Sequence, residues 1–197
     1  MSELSLSLPD SAMPEGFSYR GEVLSQAEGE ALVSQIAALE LLPFEFHGYR
    51  AHRRVHSYGW RYDYAAQVLQ PAEPLPGFLL SLRERAAAAA GLAADRLQQA
   101  LVTEYAPGAG IGWHRDKPMF GELVAVSLSA ACRLRFRRRQ GRGWLRASVL
   151  LEPRSVYHLT GPARLDWEHG IAPLDRLRYS VTFRTLVRSE ARPLPAR

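Results

Sequence analysis

The second half of this chain is built from short apolar segments that alternate with turn-forming residues. From about residue 99 onward, segments such as LVAVSL, CRLRFRRR, WLRASVLL, SVYHLT and RYSVTFRTL follow one another, with QGRG and TGPA between them. Short strands that repeat about every ten residues are typical of antiparallel sandwiches and barrels. The pattern therefore predicts a mainly β fold of the jelly-roll kind, with helices packed outside it.

Two helices are predicted before these strands. In LSQAEGEALVSQIAALELL, Ser25 and Glu28 have the spacing of a capping box, and apolar residues then recur at helical intervals, which predicts a helix from about 26 to 41. The segment PLPGFLLSLRERAAAAAG begins with prolines, continues in helix-forming residues and ends at Gly91. The expected fold class is α+β, mainly β, with N-terminal helices flanking the jelly roll.

One domain is expected over residues 1–197. The 197 residues suffice for a sizeable buried core, and neither an internal repeat nor an inter-domain linker interrupts the pattern. The Ser- and Pro-containing start, about residues 1–15, is expected to be flexible. We expect the domain to be a monomer.

The sequence lacks the features of membrane insertion and secretion. It contains no apolar run near the roughly 20 residues that a membrane-spanning helix needs, and its acidic start lacks the basic segment and apolar run of a secretory leader. The single cysteine, Cys132, excludes an internal disulfide and a cysteine-based zinc cluster. We therefore expect a cytoplasmic protein with no membrane partner.

The charge of the chain is modestly positive and is carried almost entirely by arginine. The formal net charge is +5, and Lys117 is the only lysine. Guanidinium groups bind phosphates and stack on bases, so this balance is compatible with a nucleic-acid partner. The same bias also arises from genome composition, so charge alone does not identify the partner.

A histidine and an aspartate stand two residues apart in the segment GWHRDKPMFG. In a strand, His114 and Asp116 would point to the same side, and His169 in DWEHGIAP offers a third ligand. Two histidines and one carboxylate form the facial set of non-haem ferrous oxygenases, and zinc would fit the same ligands. The alternative is an ordinary polar strand edge, so the triad needs support from elsewhere in the sequence.

The segment RYSVTFR supplies that support. Read as a strand, it places Arg178, Ser180, Thr182 and Arg184 on one face and apolar residues on the other. Two arginines facing an apolar interior need an anionic partner, and a small dicarboxylate would provide one through bidentate pairing. Because the two arginine backbones would lie roughly 20 Å apart, Arg184 could serve the metal-bound aspartate as much as the anion.

The segments EYAPG, HRD, WEHGIAP and RYSVTFR, in this order, resemble the AlkB family of iron- and 2-oxoglutarate-dependent dioxygenases. The similarity covers roughly residues 50 to 186 and implies a double-stranded β-helix that uses iron(II), 2-oxoglutarate and oxygen. It also implies the site residues. His114, Asp116 and His169 would bind iron, Arg178 the far carboxylate of 2-oxoglutarate, Arg184 would lie near the metal-chelating end, and Tyr105 would bond to the co-substrate.

The resemblance implies oxidative chemistry on alkylated bases, with three departures in this chain. Oxygen would convert 2-oxoglutarate to succinate and carbon dioxide, and a methyl group hydroxylated on a base nitrogen would leave as formaldehyde.

The family pattern has asparagines where this chain has Thr103 and Ser180, whose hydroxyl groups would make the corresponding hydrogen bonds. Pro118 replaces a carboxylate that helps to read the damaged base.

A basic and aromatic segment before the barrel is the candidate substrate lid, at about residues 45–70. A base must leave its stack to reach a buried metal, and RRVHSYGWRYDY offers both stacking rings and cations. We expect Tyr58 or Trp60 to pack on the flipped base, and Arg53 and Arg54 to contact the nucleic-acid backbone. The alternative is that Trp60 and Tyr62 anchor the core.

A second basic segment, CRLRFRRRQGRGWLR, alternates arginine with apolar residues before a turn. Arg138, Arg139 and Arg142 would cluster at the tip of a hairpin, where they could bind phosphates. The alternative is a solvated strand followed by a basic turn.

The first functional hypothesis is a dioxygenase that removes alkyl groups from nucleic-acid bases in alkylation repair, with DNA preferred to RNA as the partner. The second is the same chemistry on a tRNA modification or a protein side chain. The third is a non-catalytic barrel that binds nucleic acid through its arginines. The complete triad and the arginine pair favour the first two.

Overall fold

The computed structural model describes residues 12–46 and 49–187. Most of the start expected to be flexible, at residues 1–11, therefore lies outside the described part. Three short helices, one 3₁₀ turn at Ala94–Arg96 and thirteen strands are described there. The helices are α1 (Gln26–Ala37), α2 (Gly77–Ala90) and α3 (Gly161–Leu165). The strands are β1 (Phe17–Arg20), β2 (Leu42–Phe46), β3 (Tyr49–Tyr58), β4 (Trp60–Asp63), β5 (Val68–Pro71), β6 (Gln99–Tyr105), β7 (Ile111–His114), β8 (Phe120–Leu128), β9 (Cys132–Gln140), β10 (Gly143–Leu151), β11 (Ser155–Leu159), β12 (Glu168–Ile171) and β13 (Arg178–Leu186).

The strands form two sheets and a separate hairpin. The larger sheet has seven strands in the order β1-β11-β8-β13-β6-β3-β2, and the smaller has four in the order β10-β9-β12-β7. Strands β4 and β5 pair only with each other among the described strands. All the pairings between strands are antiparallel. The prediction of a mainly β jelly roll with flanking helices is confirmed.

The larger sheet separates an outer apolar core from an inner polar face. On β13, Tyr179, Val181 and Phe183 pack with α1 and α2 in the outer core, whereas Arg178 and Arg184 point to the other side. This is the alternation expected from a side-chain period of two, and it follows the same register on β6 and β8. The inner face is therefore free to carry the polar groups of a site.

A second apolar core lies between the two sheets. Phe136 of β9 and Leu123 of β8 belong to it, together with Trp167 and Ile171. This core fills one end of the space between the sheets and leaves a cavity at the other. The cavity is where the predicted metal ligands meet.

Helix α1 begins where the sequence predicts and ends earlier. The Ser25 side chain accepts a hydrogen bond from the backbone N–H of Glu28, and the Glu28 carboxylate accepts one from the backbone N–H of Ser25, so the capping box is present. The helix stops at Ala37 rather than about 41, because the chain turns at Leu39 to begin β2 at Leu42.

The candidate lid at about residues 45–70 is partly a component of the barrel. Strand β3 pairs with β6 over Arg53–Tyr58 and is therefore an integral strand of the larger sheet. Only the β4–β5 hairpin stands apart from both sheets. None of the described helices is long and apolar enough to cross a membrane.

Candidate active site

Three predicted metal ligands meet at the open end of the barrel. His114 is the last residue of β7, and it pairs directly with His169 on β12. Asp116 follows two residues later, and its Oδ2 lies 3.8 Å from Nε2 of His169. The two imidazole rings are 4.4 Å apart between centroids, and one ligand atom from each of the three residues lies within 4.8 Å of the other two. This is the spacing of groups that could share one metal ion.

The ligand atoms that face this space lack protein partners. Nδ1 of His114 donates to the carbonyl oxygen of Gly112 at 2.9 Å, so Nε2 is the ring nitrogen that remains for a metal. Oδ2 of Asp116 is buried and has no hydrogen-bond partner among the described residues. An unpaired buried carboxylate oxygen is costly unless a cation binds it, so these residues fit a metal ion.

The surroundings of Asp116 and His169 set the protonation states of these two side chains. Burial alone would raise the pKa of Asp116, but the Arg184 guanidinium and the neighbouring histidines hold that pKa well below its usual range. Burial, with His114 nearby, lowers the pKa of His169 to about 3. The carboxylate is therefore charged and the imidazole neutral at ordinary pH, as metal ligation requires.

Strands β7 and β12 approach closely where they carry the ligands. A Cβ atom added at Gly170 would lie 2.9 Å from the carbonyl oxygen of Ile111 and 3.2 Å from that of Gly112. Any side chain at Gly170 would push the two strands apart. The glycine after His169 therefore permits the close pairing that brings His114 and His169 together.

Arg184 serves the aspartate, which was one of the two roles considered for it. Its Nε and Nη2 donate to Oδ1 of Asp116 at 3.1 and 2.8 Å, and its Nη1 donates to Gln99 at 2.9 Å. This fork fixes the carboxylate so that its other oxygen, Oδ2, faces the histidines.

Arg178 lies deeper, beneath the cavity, and is only partly paired. Its side chain is 1% exposed, its Nη2 donates to Ser127 Oγ at 3.1 Å, and its guanidinium lies 5.0 Å from the centre of the Tyr105 ring. Its Nε and Nη1 are buried and have no hydrogen-bond partner among the described residues. A buried cation with two unused donors fits a carboxylate ligand that approaches from the cavity.

One cavity connects the candidate metal ligands with the hydroxyl-bearing residues Thr103 and Tyr105. It has a volume of about 870 Å³ and contains all three candidate metal ligands as well as Thr103, Tyr105 and Arg184. Ser180 is 4% exposed and pairs with Thr103 on one side and Ser127 on the other, so its side chain lies beside Arg178 rather than in the cavity wall. The volume is that of a site for small ligands.

Two contributors to this site were missed from the sequence. Ser127 lies on the same face as Leu123 and Ala125 in LVAVSL, which was a usable indication that its hydroxyl points inward. Tyr157 lines the cavity, and burial raises the pKa of its hydroxyl, so it is a neutral hydrogen-bonding group there. The inward face of SVYHL could not be deduced without the strand pairing.

Arg164 was also missed, although it supports the segment that carries Asp116. It is 3% exposed, and its guanidinium donates to the carbonyl oxygens of Lys117, Phe120 and Gly121 at 2.9, 2.7 and 2.9 Å. Three backbone carbonyl groups of the segment after Asp116 thus accept hydrogen bonds from one side chain of α3. Arg164 is a positioning residue for the metal-binding aspartate.

An Arg164→Met variant is expected to bind a divalent metal about 10- to 100-fold more weakly, the range found when groups that orient metal ligands are removed. The variant would also have a lower Tm, because three backbone carbonyls each lose a hydrogen bond from the guanidinium. Titration with Co²⁺ well below the Tm measures the metal affinity. Arg96→Met, at a half-exposed arginine, is the matched control; unchanged Co²⁺ affinity in Arg164→Met would contradict the positioning role.

Aromatic rings and cations surround the mouth of the cavity. The Arg53 guanidinium lies 4.0 Å from the centre of the Phe44 ring. The Lys117 ammonium lies 4.9 Å from the centre of the Tyr62 ring and 5.4 Å from that of Tyr64. Tyr62 and Tyr64 contact each other edge to face at 4.9 Å. All five side chains line the cavity.

The residues predicted to bind substrate are divided by the alternation of β3. Arg53 lines the cavity, and its contact with the nucleic-acid backbone stays a prediction. Arg54 points to the opposite face, where it pairs with Glu104 at 2.8 Å. Tyr58 is 5% exposed and belongs to the outer core, so the prediction that its ring stacks on a base is wrong for this structure. Trp60 is half-buried on β4 and does not belong to the cavity lining; Tyr62, proposed as a core anchor, does.

This jelly roll brings two histidines and one carboxylate together and holds a buried arginine with two unused donor nitrogens. That is the arrangement of a ferrous oxygenase with a dicarboxylate co-substrate. The comparison with known families agrees. The family model described as the 2OG-Fe(II) oxygenase superfamily matches residues 19–184. The chain belongs to this superfamily, whose enzymes use iron(II), 2-oxoglutarate and oxygen.

Curated relatives place the chain among the AlkB-like members. The alpha-ketoglutarate-dependent dioxygenase AlkB of Salmonella typhimurium is 33% identical over 156 residues, which cover 67% of this chain and 69% of that protein. The tRNA (carboxymethyluridine(34)-5-O)-methyltransferase ALKBH8 of Mus musculus is 29% identical over 169 residues, or 82% of this chain. This chain spans 25% of the length of that relative. The predicted AlkB resemblance is confirmed.

A solved structure supports the fold independently. The structure of OsALKBH1 superposes with a TM-score of 0.68 at 16% sequence identity and covers 90% of this chain and 100% of that one. At this identity the likeness concerns the fold alone.

Proposed function

We propose that this chain is a dioxygenase that removes alkyl groups from nucleic-acid bases, with single-stranded DNA as the preferred partner. The observation that carries the proposal is the cluster of His114, Asp116 and His169, which opens into a cavity with a cationic and aromatic mouth. The cluster accounts for the oxidative step. The mouth accounts for a substrate that is flat, aromatic and attached to phosphates.

The inner residues would hold the metal and the co-substrate. Nε2 of His114, Oδ2 of Asp116 and Nε2 of His169 would bind iron(II) on one face and leave the other positions open. Bound iron(II), with 2-oxoglutarate and oxygen, supplies the oxidising power that hydroxylates a C–H bond.

The two buried arginines, Arg178 and Arg184, would each bind a different carboxylate. Arg178 would bind the far carboxylate of 2-oxoglutarate through its unused Nε and Nη1 donors. Tyr105 and Thr103 would donate hydroxyl hydrogen bonds to the same molecule from the cavity wall. Arg184 remains paired with Asp116 and keeps the carboxylate oriented.

The mouth residues would hold the substrate. Tyr62 offers a ring to a flipped base, while Lys117 and Arg53 offer positive charge to its phosphates. Pro118 is exposed and contributes no carboxylate for reading the base. Base choice would therefore depend on the shape of the mouth rather than on an acidic side chain at that position.

The similarity to ALKBH8, a tRNA methyltransferase by name, favours a second candidate, the same oxidation on a tRNA modification. A non-catalytic barrel is disfavoured, because Asp116 Oδ2 and two donors of Arg178 are left unpaired at a cost that only bound ligands would offset.

The test is turnover of the full chain with ferrous iron, ascorbate and 2-oxoglutarate. We expect succinate and formaldehyde to form together on N-methylated single-stranded DNA. A Tyr62→Leu variant is expected to lose about 5- to 150-fold in kcat/KM, the equivalent of one stacking contact, while Tyr62→Phe retains activity. The panel includes double-stranded DNA, RNA and tRNA.

The outcomes separate the three hypotheses. Formaldehyde from tRNA but not from DNA would move the proposal to the second candidate. Succinate formation that no nucleic acid stimulates would contradict a nucleic-acid substrate. No succinate under any condition would favour the binding barrel.

A further inference from the structure

The solvent-facing side of the smaller sheet carries a row of arginines. On β9, Leu134 and Phe136 point into the inter-sheet core, so the intervening residues point outward. Arg133 and Arg139 are exposed, and Arg135 and Arg137 are half-buried. Alternate residues of a strand lie about 7 Å apart, so these four cations extend over roughly 20 Å.

Tryptophans from the neighbouring strands lie between these arginines. Trp113 of β7 lies 5.0 Å from the Arg135 guanidinium and 4.7 Å from that of Arg137, measured to the ring centre. Trp144 of β10 lies 4.4 Å from Arg137 and 5.3 Å from Arg139. We call this set, Trp113, Arg135, Arg137, Trp144 and Arg139, the Arg–Trp ladder.

The ladder is continuous with the mouth of the cavity. Trp113 and Arg115 line the cavity, and they flank the metal-ligand candidate His114 in the sequence. Because neighbouring residues of a strand point to opposite faces, β7 presents His114 to the metal site and Trp113 to the ladder. A polymer that leaves the mouth over Trp113 would therefore run directly onto the ladder.

Positive charge predominates on this face. Glu168 forms an ion pair with Arg137 and neutralises one of its cations. Arg146 of β10 is exposed and pairs in register with Arg137, which adds a further cation to the same face. Helices α1 and α2 pack against the larger sheet, on the other side of the molecule.

We propose that the Arg–Trp ladder binds the stretch of single-stranded DNA adjacent to the base that occupies the cavity. The proposal rests on the proposed nucleic-acid substrate and adds a second contact surface to it. Regularly spaced guanidinium groups bind successive phosphates, and half-buried indole rings give unpaired bases a stacking platform. An acidic protein partner would use the cations but would not need rings placed between them.

Binding to unmodified oligonucleotides tests the ladder without requiring turnover. Fluorescence anisotropy with a labelled 15-nucleotide single-stranded DNA compares the wild type with Arg135→Gln/Arg139→Gln and with Trp144→Ala. We expect the double arginine variant to reduce the slope of log K against log salt by about 1.4, because each phosphate that an arginine no longer neutralises lowers the slope by about 0.7. We expect Trp144→Ala to weaken binding about 5- to 150-fold.

The matched control is Arg85→Gln/Arg96→Gln, which removes two half-exposed cations from the helical side of the molecule. This variant loses the same net charge as the ladder variant, but its arginines lie away from the ladder, so its salt slope should equal that of the wild type. Equal slopes in both double variants, or unchanged affinity in Trp144→Ala, would overturn the proposal. Tighter binding of RNA of the same sequence, abolished in the same variants, would overturn the commitment to DNA.

Substrate length separates a failure of this proposal from a failure of the proposed function. On a methylated trinucleotide, which reaches little beyond the cavity, the ladder variants should match the wild type in kcat/KM. On a methylated 15-nucleotide strand they should lose at least about 5-fold. Ladder variants that match the wild type on both lengths contradict the ladder alone, whereas no turnover of either length by the wild type contradicts the proposed function.

Discussion

An Arg178→Met variant is expected to lose at least about 100-fold in affinity for 2-oxoglutarate. The guanidinium is 1% exposed, and its Nε and Nη1 donors lack partners among the described residues. Removing one partner from a buried charge pair costs about 3–5 kcal/mol, which corresponds to a factor of 100 or more. Isothermal titration with 2-oxoglutarate on the Mn²⁺-loaded protein would measure the loss.

The same variant should be no less stable than the wild type without ligand, because methionine removes an incompletely paired buried charge and fills similar space. We therefore expect an equal or higher Tm, together with loss of the Tm increase that 2-oxoglutarate gives the wild type. Arg176→Met, at an exposed arginine two residues earlier, is the control. A ligand-induced Tm shift retained in Arg178→Met would contradict the assigned role.

An Asp116→Asn variant is expected to lower iron-dependent succinate formation by at least about 1000-fold, since metal polarisation is worth several kcal/mol of barrier. The change keeps the shape of the side chain but removes the negative charge that both the metal and Arg184 require. Steady-state succinate release measures the effect, and Co²⁺ titration measures the reduced metal affinity separately.

The apo form of this variant should also be less stable, because the buried Arg184 guanidinium loses its carboxylate counter-charge. Asp175→Asn, at an exposed aspartate, is the matched control and should behave as the wild type. Near-normal succinate release by Asp116→Asn at saturating iron would exclude this carboxylate as a ligand.

The inner site could be predicted because a strand places alternate residues on one face. The spacing of Arg178 and Arg184 indicated that both lie on one face of a strand, with backbones roughly 20 Å apart. The pairing of Arg184 with Asp116 was accordingly among the expectations. His169 was a candidate ligand from its residue type, and the family resemblance supported that choice; its distance along the chain gives no indication that it pairs with His114.

The substrate side was predicted less well, because alternation does not say which face of a strand points inward. In RRVHSY, either Arg53 or Arg54 could face the cavity, and the choice depends on the register with β6. That register places Tyr58 in the outer core, so the aromatic rings at the mouth come from β2 and the β4–β5 hairpin. Nothing in the sequence indicated the role of Arg164, because its guanidinium donates to backbone carbonyls that are distant along the chain.

The position of the single lysine has a practical consequence. Lys117 is the only side-chain amine in the sequence, and its ammonium lies against Tyr62 and Tyr64 at the entrance to the cavity. Amine-directed reagents, such as succinimidyl esters or aldehyde resins, therefore have one side-chain target, and it lies at the entrance. A probe attached there would report directly on what enters, whereas immobilisation through the same group would block the entrance.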